Sequence, residues 1–121
     1  MSWQVLFHDI FENEFKCVTE EVQNELLAQA TKIQEFGPVL GRPSVDTLNG
    51  SKYSNMKELR FTTSEGVWRV AFAFDPERQA ILLVAGDKKG KNQKKFYAEI
   101  IRKADQRFEG YLKNVQRKGK S

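Results

Sequence analysis

Two short stretches hold the side chains best suited to chemistry on a phosphate diester. The first, KELRFTTSEGVWRVAFAF at 57–74, carries Lys57, Glu58, Arg60 and Arg69. A guanidinium binds phosphate oxygens through paired N–H donors. A carboxylate within reach of a hydroxyl can take its proton. The second stretch, DKKGKNQKK at 87–95, places Lys88, Lys89, Lys91, Lys94 and Lys95 within eight positions. It leads from a strand end into a helix start, whose free amides favour anions. Lysines there oppose the helix dipole, so helix stability does not account for them, whereas phosphate binding does. Phe96 and Tyr97 follow at once and could stack on a base.

Other chemistries lack their residues. His8 is the single histidine, so no histidine acid–base pair exists. Cys17 is the single cysteine, which excludes an intramolecular disulfide and a cysteine-based zinc site. No carboxylate cluster is spaced for a metal, and neither a Walker loop nor a dinucleotide fingerprint is present. A chain like this that cut RNA would do so without metal, cofactor or histidine pair. Arginine and lysine would stabilise the dianionic phosphorane, and positioning would supply much of the rest.

The elements that must hold these residues are readable in outline. With 121 residues, 40% of them hydrophobic, the chain suits one domain with one core. The N-terminal MSWQVLFHDI has no basic segment ahead of an apolar run, and no apolar stretch has the length of a membrane span. A soluble, cytoplasmic protein is expected. The net charge of +4 is uneven: residues 1–36 carry −5, residues 37–74 carry +2 and residues 75–121 carry +7. A polyanion partner for the basic part, or a solvated helix face with a basic tail, would each explain it.

WQVLFH at 3–8 reads as a strand, and Asp9 can cap a helix. Apolar positions from Phe11 through Phe15, Val18, Val22, Leu26 and Ala30 to Ile33 follow helical spacing, with a second start at Thr19. Two helices, or one kinked near 17–20, are expected to end at Gly37-Pro38. Residues 37–55 read as a long connection. Strands follow at about 57–63, 67–74 and 80–86, the last apolar on both faces and therefore central. A final helix has the stripe Tyr97, Ile101, Ala104, Phe108, Tyr111 or Leu112, and Val115, with Asn92 as its cap.

Alternation assigns the hairpin's faces. Trp68, Val70, Phe72 and Phe74 form the large, core side, and Arg69 stands among small residues on the other. Leu59 and Phe61 join the core side only if the connecting loop has an even length of two or four residues. Glu58, Arg60 and Arg69 then share the second face, over a floor of alanines with room for a ligand. An arginine–glutamate pair on a solvated sheet face is the structural alternative. Lys57 falls on the core side unless it lies at a strand edge.

The order β-α-α-β-β-β-α, with FGPVLGRP, MKELRF, VWRVAFAF and DKKGKNQKK in sequence, resembles the RelE/HigB superfamily of bacterial toxins, in its phage-derived HigB-like branch. The resemblance covers about residues 3–110. It implies one α+β domain over 1–121, with a small, mostly antiparallel sheet, two N-terminal helices, a C-terminal helix and a basic tail from 116. It also implies a metal-independent endoribonuclease that cleaves mRNA, often on the ribosome, by attack of the 2′-OH on the scissile phosphate. Its partner would be a cognate antitoxin, often of helix-turn-helix type.

Carried onto this chain, Arg69 matches the catalytic arginine. Lys88 or Lys89 matches the basic residue after the last strand. Arg60 lies in the ELR signature, and Tyr97 stands near a late aromatic. Lys57, Lys91, Lys94 and Lys95 would contact RNA. Several relatives carry lysine where this chain has Glu58, which here would be the general base or would orient an arginine. A non-catalytic RNA-binding or interaction module on the same fold, or a structural phage protein, remains the alternative. The antitoxin would cover the basic face or the acidic helices at 9–36.

Overall fold

A computed structural model of the chain describes residues 3–119, with side chains through 115. Strand β1 (Gln4–Phe7) precedes helices α1 (Asp9–Phe15) and α2 (Glu20–Phe36) and a 3-10 turn at Gly37–Val39. Strands β2 (Val45–Thr47), β3 (Met56–Thr62), β4 (Val67–Phe74) and β5 (Gln79–Asp87) lead to helix α3 (Gln93–Gly119). They form one sheet in the order β1-β5-β4-β3-β2, parallel at β1–β5 and antiparallel elsewhere. Helix α3 runs into the expected tail at 116, whose side chains, with residues 120–121, lie outside the described residues.

Local chemistry explains the boundaries. Thr19 Oγ1 accepts from Val22 N at 3.3 Å and starts α2 after the break at 16–19. Asn92 Oδ1 accepts from Lys95 N at 3.0 Å and starts α3. The cap of α1 is His8, whose Nδ1 accepts from Ile10 N, and Asp9 is the first helical residue instead. Asp75 Oδ1 accepts from Glu77 N and Gln79 N and so closes the β4–β5 turn.

The β3–β4 loop is the four residues 63–66, which pairs Leu59 with Val70, Arg60 with Arg69 and Phe61 with Trp68. The even length puts Glu58, Arg60 and Arg69 on one face, as alternation requires.

Three expectations change. The sheet has a core on both faces. Phe11, Val22, Leu26 and Ile33 of α1 and α2 pack on Leu59, Val70, Phe72 and Leu82. On the reverse face Phe96, Ile100, Ala104 and Phe108 of α3 pack on Met56, Ala71, Ala73 and Ile81. The alanine floor therefore receives a helix, not a ligand: small side chains let α3 approach, and burying its apolar stripe stabilises by ~1.5–3 kcal/mol per large residue. That stripe is centred on Phe96 and Ile100 rather than on Tyr97 and Ile101, which are only partly buried. The long connection 37–55 also contains β2, which the sequence reading lacked. It extends the sheet by pairing Asp46 with Glu58 and Val45 with Leu59.

Candidate functional site

Strands β3 and β4, the β5–α3 loop and the first turns of α3 meet at a buried polar cluster. Glu58 and Arg69 are each only 7% exposed. Arg69 Nε–H donates to the Tyr97 hydroxyl at 3.2 Å, and the hydroxyl donates to Glu58 Oε1 at 3.0 Å. Arg69 Nε also stands 3.4 Å from Glu58 Oε1, and Arg60 Nε stands 3.3 Å from it. One carboxylate oxygen thus gathers two guanidiniums and a phenol. Arg69 Nη1 donates to the Trp68 carbonyl at 2.9 Å, which fixes the plane of the guanidinium.

The other ends of these groups are free. Glu58 Oε2 and Arg69 Nη2 make no hydrogen bond among the described residues. Neither is sealed in, because Gln29 Oε1 is the one buried side-chain polar atom left unpartnered among those residues. Beside the cluster lies a cleft of about 300 Å³ lined by Asp46, Asn49, Glu58, Arg60, Gln93 and Tyr97, among others.

Lys88 completes the arrangement. Its Nζ lies 5.9 Å from the centre of the Tyr97 ring. Burial pushes its pKa below the ordinary lysine value, and the neighbouring charges of Arg69 and Arg60 push it the same way. Burial raises the Tyr97 pKa, so the phenol keeps its proton and remains the donor to Glu58. The cluster sets two guanidiniums and a carboxylate beside the Lys88 ammonium, charges that suit an anionic ligand.

The sequence-derived residues do not all converge. Glu58, Arg60, Arg69, Lys88 and Tyr97 come together. Lys57 lies on the opposite face of β3, where its Nζ donates to Thr47 Oγ1 at 3.3 Å. Lys89 is exposed, and only its backbone amide is tied, to Asp87 Oδ1. Lys94 is exposed. Lys91 sits over the Phe96 ring, and with Lys95 it lines a different cleft on the far side of the α3 start. Phe96 cannot stack on a base, because it is buried against Gly86. Missing from the sequence reading were Arg42, Asp46, Asn49 and Gln93. Arg42 pairs at 3.0 Å with Asp46, which lines the cleft, and no periodic pattern in the sequence marks these four positions. Among the described residues no group of three His, Cys, Asp or Glu could hold a metal ion.

A five-stranded sheet with helices on both faces makes this an α+β protein, and its fold is that of RelE. The solved structure of a double arginine-to-alanine mutant of the E. coli toxin RelE in the free state matches with a TM-score of 0.61 at 14% identity, over 88% of this chain and 98% of that one. The chain belongs to the family described as "Phage derived protein Gp49-like (DUF891)", which matches residues 13–109.

Among Mycobacterium tuberculosis proteins it is similar to "Putative toxin HigB3", 55% identical over 76 residues, which is 63% of this chain and 64% of that protein. It is also similar to "Putative toxin HigB2", 44% identical over 93 residues, which is 76% of this chain and 46% of that protein. The chain thus spans between about half and two thirds of the length of these curated relatives. No described helix is long and apolar enough to cross a membrane.

Proposed function

We propose that this chain is the toxin of a type II toxin–antitoxin system and acts in the cytoplasm as an endoribonuclease on mRNA, bound at the ribosome. The observation that carries the reading is the buried Glu58, held through Oε1 by Arg60, Arg69 and Tyr97 in the wall of the cleft. A group held this rigidly beside two guanidiniums suits proton transfer at a phosphate diester. The names of the M. tuberculosis relatives support the toxin part.

In the reaction, Arg69 Nη2 and Arg60 hold the non-bridging oxygens of the scissile phosphate. Glu58 Oε2 takes the proton of the 2′-OH, and O2′ bonds to phosphorus. The P–O5′ bond breaks, and Lys88 Nζ gives its proton to the departing O5′. The products are a 2′,3′-cyclic phosphate and a 5′-hydroxyl. No cofactor or metal enters these steps. A cognate antitoxin, of helix-turn-helix type, restrains the activity.

The test is induced expression in bacteria of wild type, Arg69→Ala and Glu58→Gln, with 5′-end mapping of cellular RNA. Growth arrest with new mRNA ends for the wild type alone supports the reading. Full cleavage by Glu58→Gln removes Glu58 as the base. One observation favours a second reading, an RNA-binding module without catalysis: Arg69 is buried and already engaged through Nε and Nη1. That reading predicts soluble wild-type protein with unchanged growth and unchanged RNA.

A further inference from the structure

The lysine-rich loop divides at the start of α3, and the half that leaves the candidate site borders a second feature. Strand β1 ends at Phe7, opposite Leu82, so β5 continues beyond it with one edge unpaired. At Leu83 the edge is closed by a clasp: Arg107 donates to the Leu83 carbonyl at 2.7 Å and pairs with Glu14 of α1 at 2.8 Å. Past the clasp, at 84–87, no strand lies alongside among the described residues.

The direction of the free groups follows from the register. Lys88 N donates to the Val67 carbonyl, and Arg69 faces Gly86. Bonded and non-bonded pairs alternate in an antiparallel ladder, so Gly86 turns its backbone groups to β4 while Ala85 and Asp87 turn theirs outward.

Beside this edge lies a cleft of about 450 Å³. Its floor is Val84, Phe96 and Ile100, and its rim carries Lys91, Lys95 and Lys103. The one rim acid, Glu99, is already paired with Arg102 and Lys103. The rim therefore presents net positive charge over an apolar floor.

We propose that the β5 edge at 84–87 and this cleft dock an extended acidic segment of a partner protein. The segment adds as a strand by bonding the Ala85 amide and carbonyl. An apolar side chain enters over Phe96 and Ile100, and neighbouring carboxylates meet Lys91 and Lys95, which steers association and sets specificity. A nucleic acid backbone would use the lysines but not the apolar floor or the outward amide. The inference does not rest on the ribonuclease reading, since none of these groups belongs to the Glu58 cluster.

The probe is a labelled peptide of about ten residues with alternating valine and glutamate, titrated into the full chain and read by anisotropy and by backbone amide NMR shifts. Saturable binding is expected, with the largest shifts at 84–87. The Lys91→Glu, Lys95→Glu double variant should weaken it about tenfold. Methylating alternate peptide nitrogens should weaken it as much, and a valine–lysine peptide should not bind. Three results overturn the proposal: no saturable binding, shifts centred on Arg69 and Lys88, or a short oligouridylate that shifts 84–87 more than the peptide does.

Discussion

Replacing Tyr97 by phenylalanine removes one oxygen atom from the centre of the candidate site and leaves the ring over which Lys88 sits. The hydroxyl accepts from Arg69 at 3.2 Å and donates to Glu58 at 3.0 Å, so two hydrogen bonds to charged groups are lost. Such bonds are worth ~1.5–3 kcal/mol each. The loss is smaller here, because Arg69 and Glu58 still face each other at 3.4 Å and neither charge is orphaned. A destabilisation of about 2 kcal/mol follows.

Activity should fall further than stability explains. Without the bridge, Arg69 and Glu58 are set only by each other and by the Trp68 carbonyl, and a loosened pair should slow RNA cleavage about 10–100-fold. Urea unfolding followed by the fluorescence of Trp3 and Trp68 gives the first quantity. Cleavage rates at a urea-free condition where the variant is fully folded give the second. A variant that loses about 2 kcal/mol of stability yet cleaves at the wild-type rate would refute the positioning argument and make Tyr97 a structural residue. An unchanged urea midpoint would refute the geometry itself.

Three other outcomes can be checked. Lys88 has a lowered pKa, and as the proposed acid it must be protonated to act, so cleavage should decline with rising pH before the ordinary lysine value of 10.5 is reached. Lys88→Arg, which does not titrate, should lower the rate but flatten that decline in a pH–rate profile. The Glu14 carboxyl is held below its usual range chiefly by its hydrogen bond to Arg107. Its contribution is therefore present above the unfolded value of 4.5 and lost as pH falls through the folded pKa. Glu14→Gln should cost no more than ~1 kcal/mol at neutral pH, since the side chain is 43% exposed, and the urea midpoints of variant and wild type should converge in acid. A Cβ at Gly86 would lie 2.8 Å from Phe96 Cε1, whereas one at Gly41 would meet nothing within 4 Å. Gly86→Ala should therefore destabilise by about 1–3 kcal/mol and displace the start of α3, while Gly41→Ala stays within about 0.5 kcal/mol in the same unfolding assay.

The sequence alone determined what depends on neighbours along the chain. Side chains alternate strictly in a strand, so the large residues of 67–74 and the pair Leu59 and Phe61 fix both the even loop and the shared face of Glu58, Arg60 and Arg69. Caps at Thr19 and Asn92 and a β5 apolar on both faces were legible for the same reason. Strand β2 was not: three residues carry too little periodicity, and its existence depends on the free edge of β3. Nor could alternation say what covers a face. The alanines beside Arg69 looked like a ligand floor, but the stripe of Phe96, Ile100, Ala104 and Phe108 has to be buried somewhere, and those small side chains are where it fits. The lysine run looked single because five like charges in eight positions are contiguous on paper. Only the docking of α3, with each residue turned by 100° from the last, put Tyr97 beside Lys88 of the preceding loop and turned Lys95 to the β5 edge, where it joins Lys91 of that loop. Strand register is a local property that a sequence states outright; which helix lies on which face, and with what rotation, is decided by the burial that only the assembled chain can achieve.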